Sequence, residues 1–138
     1  MTTAAVDEFT SAVEHATLAG ADIFSDDVVL DATVPNWRFT VQGVTQVRAQ
    51  LAAWFASPGR YEELRRTALP DGELVEFLLT WEERGIPHAA HQAHVLRVVN
   101  NRIAEDVAFC GGRWPASLLA EMEASAQAAQ RERARAAG

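Results

Sequence analysis

Residues 72–110, GELVEFLLTWEERGIPHAAHQAHVLRVVNNRIAEDVAFC, read as three long antiparallel strands joined by two tight turns. β-Branched and aromatic residues recur along the stretch. Arg84-Gly85 supplies the glycine that a tight hairpin needs between Leu74–Glu83 and Ile86–Val99. Asn100-Asn101 makes the second turn, because asparagine tolerates a positive φ better than most side chains. Side chains alternate between the two faces of a strand. Counting outward from the first turn therefore sets Trp81 opposite His88, Leu79 opposite Ala90, Phe77 opposite Gln92 and Val75 opposite His94. That face is apolar with isolated polar groups set into it. The other, with Leu74, Glu76, Leu78, Thr80, Glu82, His91, Val95 and Arg97, is mixed. A long, curved apolar face carrying a few polar groups is how a small protein builds a ligand pocket.

The chain around this meander has 138 residues, 49% hydrophobic and 22% charged, the size and composition of one soluble domain with its own core. A net charge of −7 with no basic stripe argues against nucleic acid and anionic membrane as partners, since phosphate binding rests on positive charge. No apolar run approaches the roughly 18 residues of a membrane span. Cys110 is the single cysteine, so no intrachain disulfide forms and a reducing cytosol is the natural compartment. The N-terminal MTTAAVDEFTSAVEH has acids where a signal peptide needs a basic region, and no apolar core. A cytoplasmic protein is expected.

Upstream of the meander, Ala4 to about Phe24 has helical spacing of Val6, Phe9, Val13, Ala16 and Leu18, with Gly20 joining two short helices. Val28–Val34 is a short β-rich run broken by Pro35-Asn36, and Trp37–Gln42 a second strand ending at Gly43. Val44–Ser57 returns to a helical stripe of Val44, Val47, Leu51, Trp54 and Phe55. Arg60–Leu69 reads as a strand that feeds the meander through Pro70-Asp71-Gly72. Downstream, Gly111-Gly112 turns the chain into a helix opened by Trp114-Pro115 and striped by Leu118, Leu119 and Met122. Residues 1–123 are expected to form one domain, and residues 124–138 a solvated helix end or disordered tail. The fold class is α+β: a cone-shaped, curved antiparallel sheet packed against N-terminal helices, with an extra C-terminal helix.

The run Asp22-Ile23-Phe24-Ser25-Asp26-Asp27-Val28-Val29-Leu30-Asp31 carries a family resemblance together with three later features. These are the strand ending at Gly43, the helix opening Val44-Thr45-Gln46-Val47-Arg48, and the hairpin Val95 to Glu105. Over residues 5 to 112 their order and spacing resemble the nuclear-transport-factor-2-like superfamily, in its SnoaL-like and ketosteroid-isomerase-like branch. The resemblance implies a cone-shaped α+β barrel with a deep apolar pocket, commonly dimeric through the outer face of the sheet. Leu78, Val95 and Val107 are the expected homodimer patch. It does not imply one reaction, since the superfold hosts isomerases, cyclases, dehydratases, hydrolases and binders. Steroid isomerases of this type use an aspartate base, a tyrosine and a protonated aspartate. The first position falls here on Ala32, the last on His94, and the first helix has no tyrosine, so steroid isomerisation is not expected.

His94 is therefore the candidate catalytic acid or base, as histidine serves near neutral pH, and Asp106 its partner. Two counts disagree on Asp106. Strict counting from a two-residue turn sets it opposite Val95 on the outer face, whereas the family alignment turns it inward in place of Glu105, which a bulge near the turn would reconcile. A core histidine satisfied by a neighbour is the alternative for His94. Asp31, Trp37, Tyr61, Phe77, Leu79, Trp81, Gln92 and Cys110 are the candidate substrate-contacting residues. No metal is expected: His91 points away from His88 and His94, which lie roughly 20 Å apart at about 3.3 Å per residue. The expected activity is cofactor-free acid/base chemistry on a small hydrophobic molecule, with a binding protein or a structural dimer as the alternatives.

Overall fold

A computed structural model describes residues 3–137; Met1, Thr2 and Gly138, at the outer ends of the expected domain and tail, lie outside the described residues. The meander forms β4 (Gly72–Glu83), β5 (Ile86–Val99) and β6 (Arg102–Cys110). Its first hairpin has the expected register, from Glu83 opposite Ile86 to Val75 opposite His94. Both turns place two consecutive residues at positive φ, Arg84 (52°) with Gly85 (79°) and Asn100 (52°) with Asn101 (58°), the geometry whose twist suits a hairpin.

The described residues preceding the meander form α1 (Ala4–His15), a single 3₁₀ turn (Leu18–Gly20), β1 (Phe24–Val34), β2 (Trp37–Gln42), α2 (Val44–Trp54) and β3 (Gly59–Leu69). β7 (Trp114–Pro115) and α3 (Ala116–Ala137) follow it. Strand order in the sheet is β2-β1-β6-β5-β4-β3, with β7 paired to β5. Two local readings need correction. The first helix stops at His15, where Ala16 takes a left-handed φ of 59°, and β1 begins at Phe24 instead of Val28. Phe24 is drawn into the sheet by pairing with Ile103, a contact invisible to local pattern. The sheet is also mixed, because β1 and β6 run parallel. Their partners are far apart in sequence, and such a pair needs a long connection instead of a turn.

A bulge decides which side chains of β6 face inward. Val98 pairs with Ile103 but Arg97 pairs with Glu105, so Ala104 is the extra residue. Asp106 then lies opposite Leu96 on the inner face, and Glu105 opposite Arg97 on the outer. The parallel partner of Asp106 in β1 is the buried Leu30.

The core sits between the concave face of this sheet and the two N-terminal helices. Phe9 and Val13 of α1 and Val47 and Leu51 of α2 meet Val75, Phe77, Leu79, Leu96 and Ala108 of the sheet, all buried. Gly72 is required where β4 starts, since a Cβ there would fall 1.7 Å from the Leu96 carbonyl oxygen. By contrast α3 packs on β7 and β5 and has no buried residue, with Leu118 and Met122 exposed. Among the described residues no helix is long and apolar enough to cross a membrane.

Candidate functional site

Gln92 and His94, two residues apart on β5, point to the same inner face. Phe77 stacks on the His94 ring (5.5 Å between centroids, 12° between planes), while Phe9 meets it edge-on at 5.3 Å. No part of His94 or Asp106 reaches solvent. His94 Nδ1 lies 2.9 Å from each carboxylate oxygen of Asp106, and Nε2 lies 2.8 Å from Gln92 Oε1. The Gln92 amide nitrogen donates to Cys110 Sγ at 3.4 Å, as does the Gly112 backbone N–H at 3.4 Å.

This chain of bonds fixes where hydrogens can lie. An amide oxygen only accepts, so the His94 Nε2 carries its hydrogen and gives it to Gln92. One further proton is held between Nδ1 and the Asp106 carboxyl group, bridging the two. Both ring nitrogens are thereby occupied. Removing either neighbour would strand a buried polar group, a large penalty away from water.

A cavity of about 270 Å³ opens on the far side of Gln92. Its walls are aromatic, from Trp54, Phe55 and Trp81, and Val34 and Pro35 close one side. Gln92 and Cys110 form its floor, with Arg113 at its rim. His94 does not line it: the Gln92 amide stands between the imidazole and the cavity.

The rim is a second cluster. Arg113 is ion-paired with Glu83 and sits over the Trp81 ring, 5.5 Å from its centroid. Trp81 Nε1 donates to Glu83 Oε1 at 3.0 Å. His88 stacks on Trp81 at 5.8 Å and 21°, with Nε2 3.9 Å from Glu83 Oε2. A smaller cavity of about 80 Å³, lined in part by Leu79 and Glu83, shares Trp54, Phe55, Trp81 and Arg113 with the larger one.

The remaining candidates from sequence are scattered. Asp31 is on the outer side of β1, its carboxylate taking two bonds from Arg38 at 3.0 and 2.7 Å. Those bonds hold its carboxyl below the usual range, and it has no route to the cavity. Trp37 is 68% exposed at the start of β2 and lines no wall. Tyr61 donates its hydroxyl to the Thr10 carbonyl at 2.6 Å beneath α1; burial, with the nearby Glu14 charge adding, pushes the phenol far above its ordinary value. Phe77 backs His94 and Leu79 belongs to the smaller cavity, both buried. His91 points outward and is exposed. Among the described residues no three His, Cys, Asp or Glu side chains are grouped to hold a metal.

Several lining residues went unread in the sequence. Pro35 stood only as a strand breaker, and Arg113 follows a Gly-Gly turn whose direction no local pattern gives. Ala90 was on the right face by register, but its small side chain marks space only when Trp54 and Trp81 are seen around it.

Comparison with known proteins places this architecture. No protein-family model matches the sequence, and no curated protein matches it. Solved structures do. A protein from Catenulispora acidiphila with a ketosteroid isomerase-like fold, in complex with trimethylamine, matches at a TM-score of 0.60 and 18% identity, over 80% of this chain and 88% of that one. A nuclear-transport-factor-2-like protein from Anabaena variabilis matches at 0.63 and 16%, over 78% and 84%. Another from Mesorhizobium loti matches at 0.60 and 18%, over 78% and 88%. The chain has the nuclear-transport-factor-2-like, ketosteroid-isomerase-like fold. At these identities the likeness is one of fold, and the reaction or ligand has to be argued from the site.

Proposed function

We propose that the cavity binds a small, mostly apolar molecule with one hydrogen-bonding group, that Gln92 contacts that group, and that His94 and Asp106 are positioning residues. The observation that carries this reading is the place of Gln92, 7% exposed, between the cavity and a histidine whose two nitrogens are both in use. With Oε1 committed to His94, the side chain turns its amide N–H groups toward Cys110 and the cavity, and so selects a ligand acceptor such as a carbonyl or hydroxyl oxygen. Apolar walls with a single oriented polar group are the usual composition of a small-molecule site. A protein of the same fold was solved with a small amine, trimethylamine, which fits that scale. The test is a titration of the Trp54 and Trp81 indole N–H signals with cyclohexanone and with methylcyclohexane. The ketone should bind more tightly, and Gln92→Leu should erase the difference. Equal binding of the two by the wild type would overturn the role of Gln92.

A second reading, a cofactor-free acid/base enzyme of the isomerase, cyclase, dehydratase or hydrolase kind, is favoured by the buried His94–Asp106 pair. It requires the Gln92 side chain to swing off Nε2 so that a substrate takes its place. Turnover of hydroxy-ketone or epoxide substrates that rises in Gln92→Ala and vanishes in His94→Gln would select it.

The outer face offers a separate expectation. Leu78, Val95 and Val107 are half-buried on the sheet's convex side, and a second copy of the chain pairing there is the proposed occupant. Light scattering should report a dimer that Val95→Glu dissociates.

A further inference from the structure

The rim of the cavity has the chemistry of a cation site, and the chain's own arginine occupies it. The flat face of Trp81 carries the Arg113 guanidinium 5.5 Å from the ring centroid, and Glu83, which pairs with that guanidinium, also accepts the Trp81 Nε1–H at 3.0 Å. An aromatic face beside a fixed carboxylate attracts an organic cation through the ring quadrupole and the full negative charge together. Arg113 is also the one charged side chain among the four that line both cavities, about 270 and 80 Å³, so its departure would widen both beside Trp81. Its side chain is 56% exposed, and an exposed ion pair is exchanged with little loss of stability.

We propose that the ligand is a small organic cation of the alkylammonium class, which displaces Arg113 from Trp81 and Glu83 and reaches toward Gln92 with its polar end. This rests on the reading of the cavity as a small-molecule site and adds the sign of the ligand's charge. The opposite assignment, Arg113 as anchor for an anion, fits the rim less well. Glu83 already neutralises the guanidinium and is held in place by Trp81, with His88 on its other oxygen. A chain of net charge −7 also repels anions and draws cations.

The test uses three probes of similar shape and different charge: choline, its uncharged isostere 3,3-dimethyl-1-butanol, and butyrate. Each is titrated calorimetrically against the wild-type chain, Arg113→Ala and Glu83→Gln, with the Trp81 indole signal followed in parallel. Choline should bind about tenfold more tightly than the isostere. Arg113→Ala, by removing the internal competitor and freeing Glu83, should tighten choline several-fold and by more than it tightens the isostere; Glu83→Gln should erase the preference for choline. If butyrate binds best and loses its affinity in Arg113→Ala, the rim is an anion site and the proposal is wrong. If the isostere equals choline in all three chains, the cavity binds small molecules without regard to charge, and only the cation assignment falls. If none of the probes binds any chain, the small-molecule reading falls with it.

Discussion

His94 lies flat against Phe77 beneath the floor of the cavity, behind Gln92, and six residues earlier on the same strand His88 lies nearly flat against Trp81 at the rim. Each has an acidic side chain beside it, Asp106 at 2.9 Å and Glu83 at 3.9 Å. The ingredients match, yet the results are opposite. Beneath the floor no solvent reaches His94 or Asp106, both imidazole nitrogens are spent, and the arrangement holds a glutamine amide in one orientation. At the rim the His88 Nδ1 bonds the Ile86 carbonyl at 2.9 Å, and the carboxylate is shared with Trp81 and Arg113. Water decides the difference. A buried ionisable pair is strongly penalised when broken, whereas an exposed one exchanges partners with small change in energy. One strand therefore carries a fixed polar end and an exchangeable one.

The largest break in that comparison should come from Asp106→Ala, which strands the buried His94 and should lower stability by about 3–5 kcal/mol in urea denaturation. The double replacement His94→Leu with Asp106→Leu should be milder, since it leaves no lone polar group. Gln92→Leu leaves the His94 Nε2–H without an acceptor and should cost about 1–3 kcal/mol by the same measurement.

The acid limb comes next, through Glu73, a 3% exposed carboxylate on β4 bonded twice by Arg66 at 2.8 Å. Those bonds hold its carboxyl below the ordinary glutamate value. A depressed folded-state value means that the contribution is complete above the ordinary value and is lost as pH falls through the folded one. Urea midpoints measured downward from pH 7 should decline through that acid window, and Glu73→Gln should flatten this part of the curve. Tyr61→Phe removes the 2.6 Å bond to the Thr10 carbonyl and should cost about 1 kcal/mol. Smallest is Arg113→Ala, at under about 1 kcal/mol. A rim substitution as damaging as Asp106→Ala would erase the distinction between the two ends.

How much of this was legible follows from which interactions are local. The glycine and asparagine turns set the meander register, and period-two alternation then placed Phe77, Trp81, Gln92 and His94 on one face. Asp106 facing inward needs the bulge at Ala104; the two counts from sequence leave its face open, and the bulge reconciles them. Depth was not legible. Alternation puts Gln92 and His94 on the same wall, but Phe9 of α1 and Phe55 just after α2 cover His94 and leave Gln92 at the surface of the cavity. The parallel pairing of β1 with β6 and the return of Arg113 over Trp81 depend on segments distant in sequence. Asp31, a candidate contact from sequence, is the converse case: between the buried Leu30 and Ala32, the alternation of β1 turns it outward.

The extra residue at Ala104 makes the interior a matter of parity. Straighten the bulge with Ala104 kept in the ladder opposite Arg97, and the remainder of β6 rotates by one position: Glu105 comes to face Leu96, Asp106 and Cys110 turn to the convex side, and the half-exposed Phe109 is driven inward. No side chain has been lost, but Asp106 and Cys110 have been replaced on the inner face by a longer acid and a phenyl ring. The backbone of this hairpin thus decides which groups the interior receives, without any change of side chain.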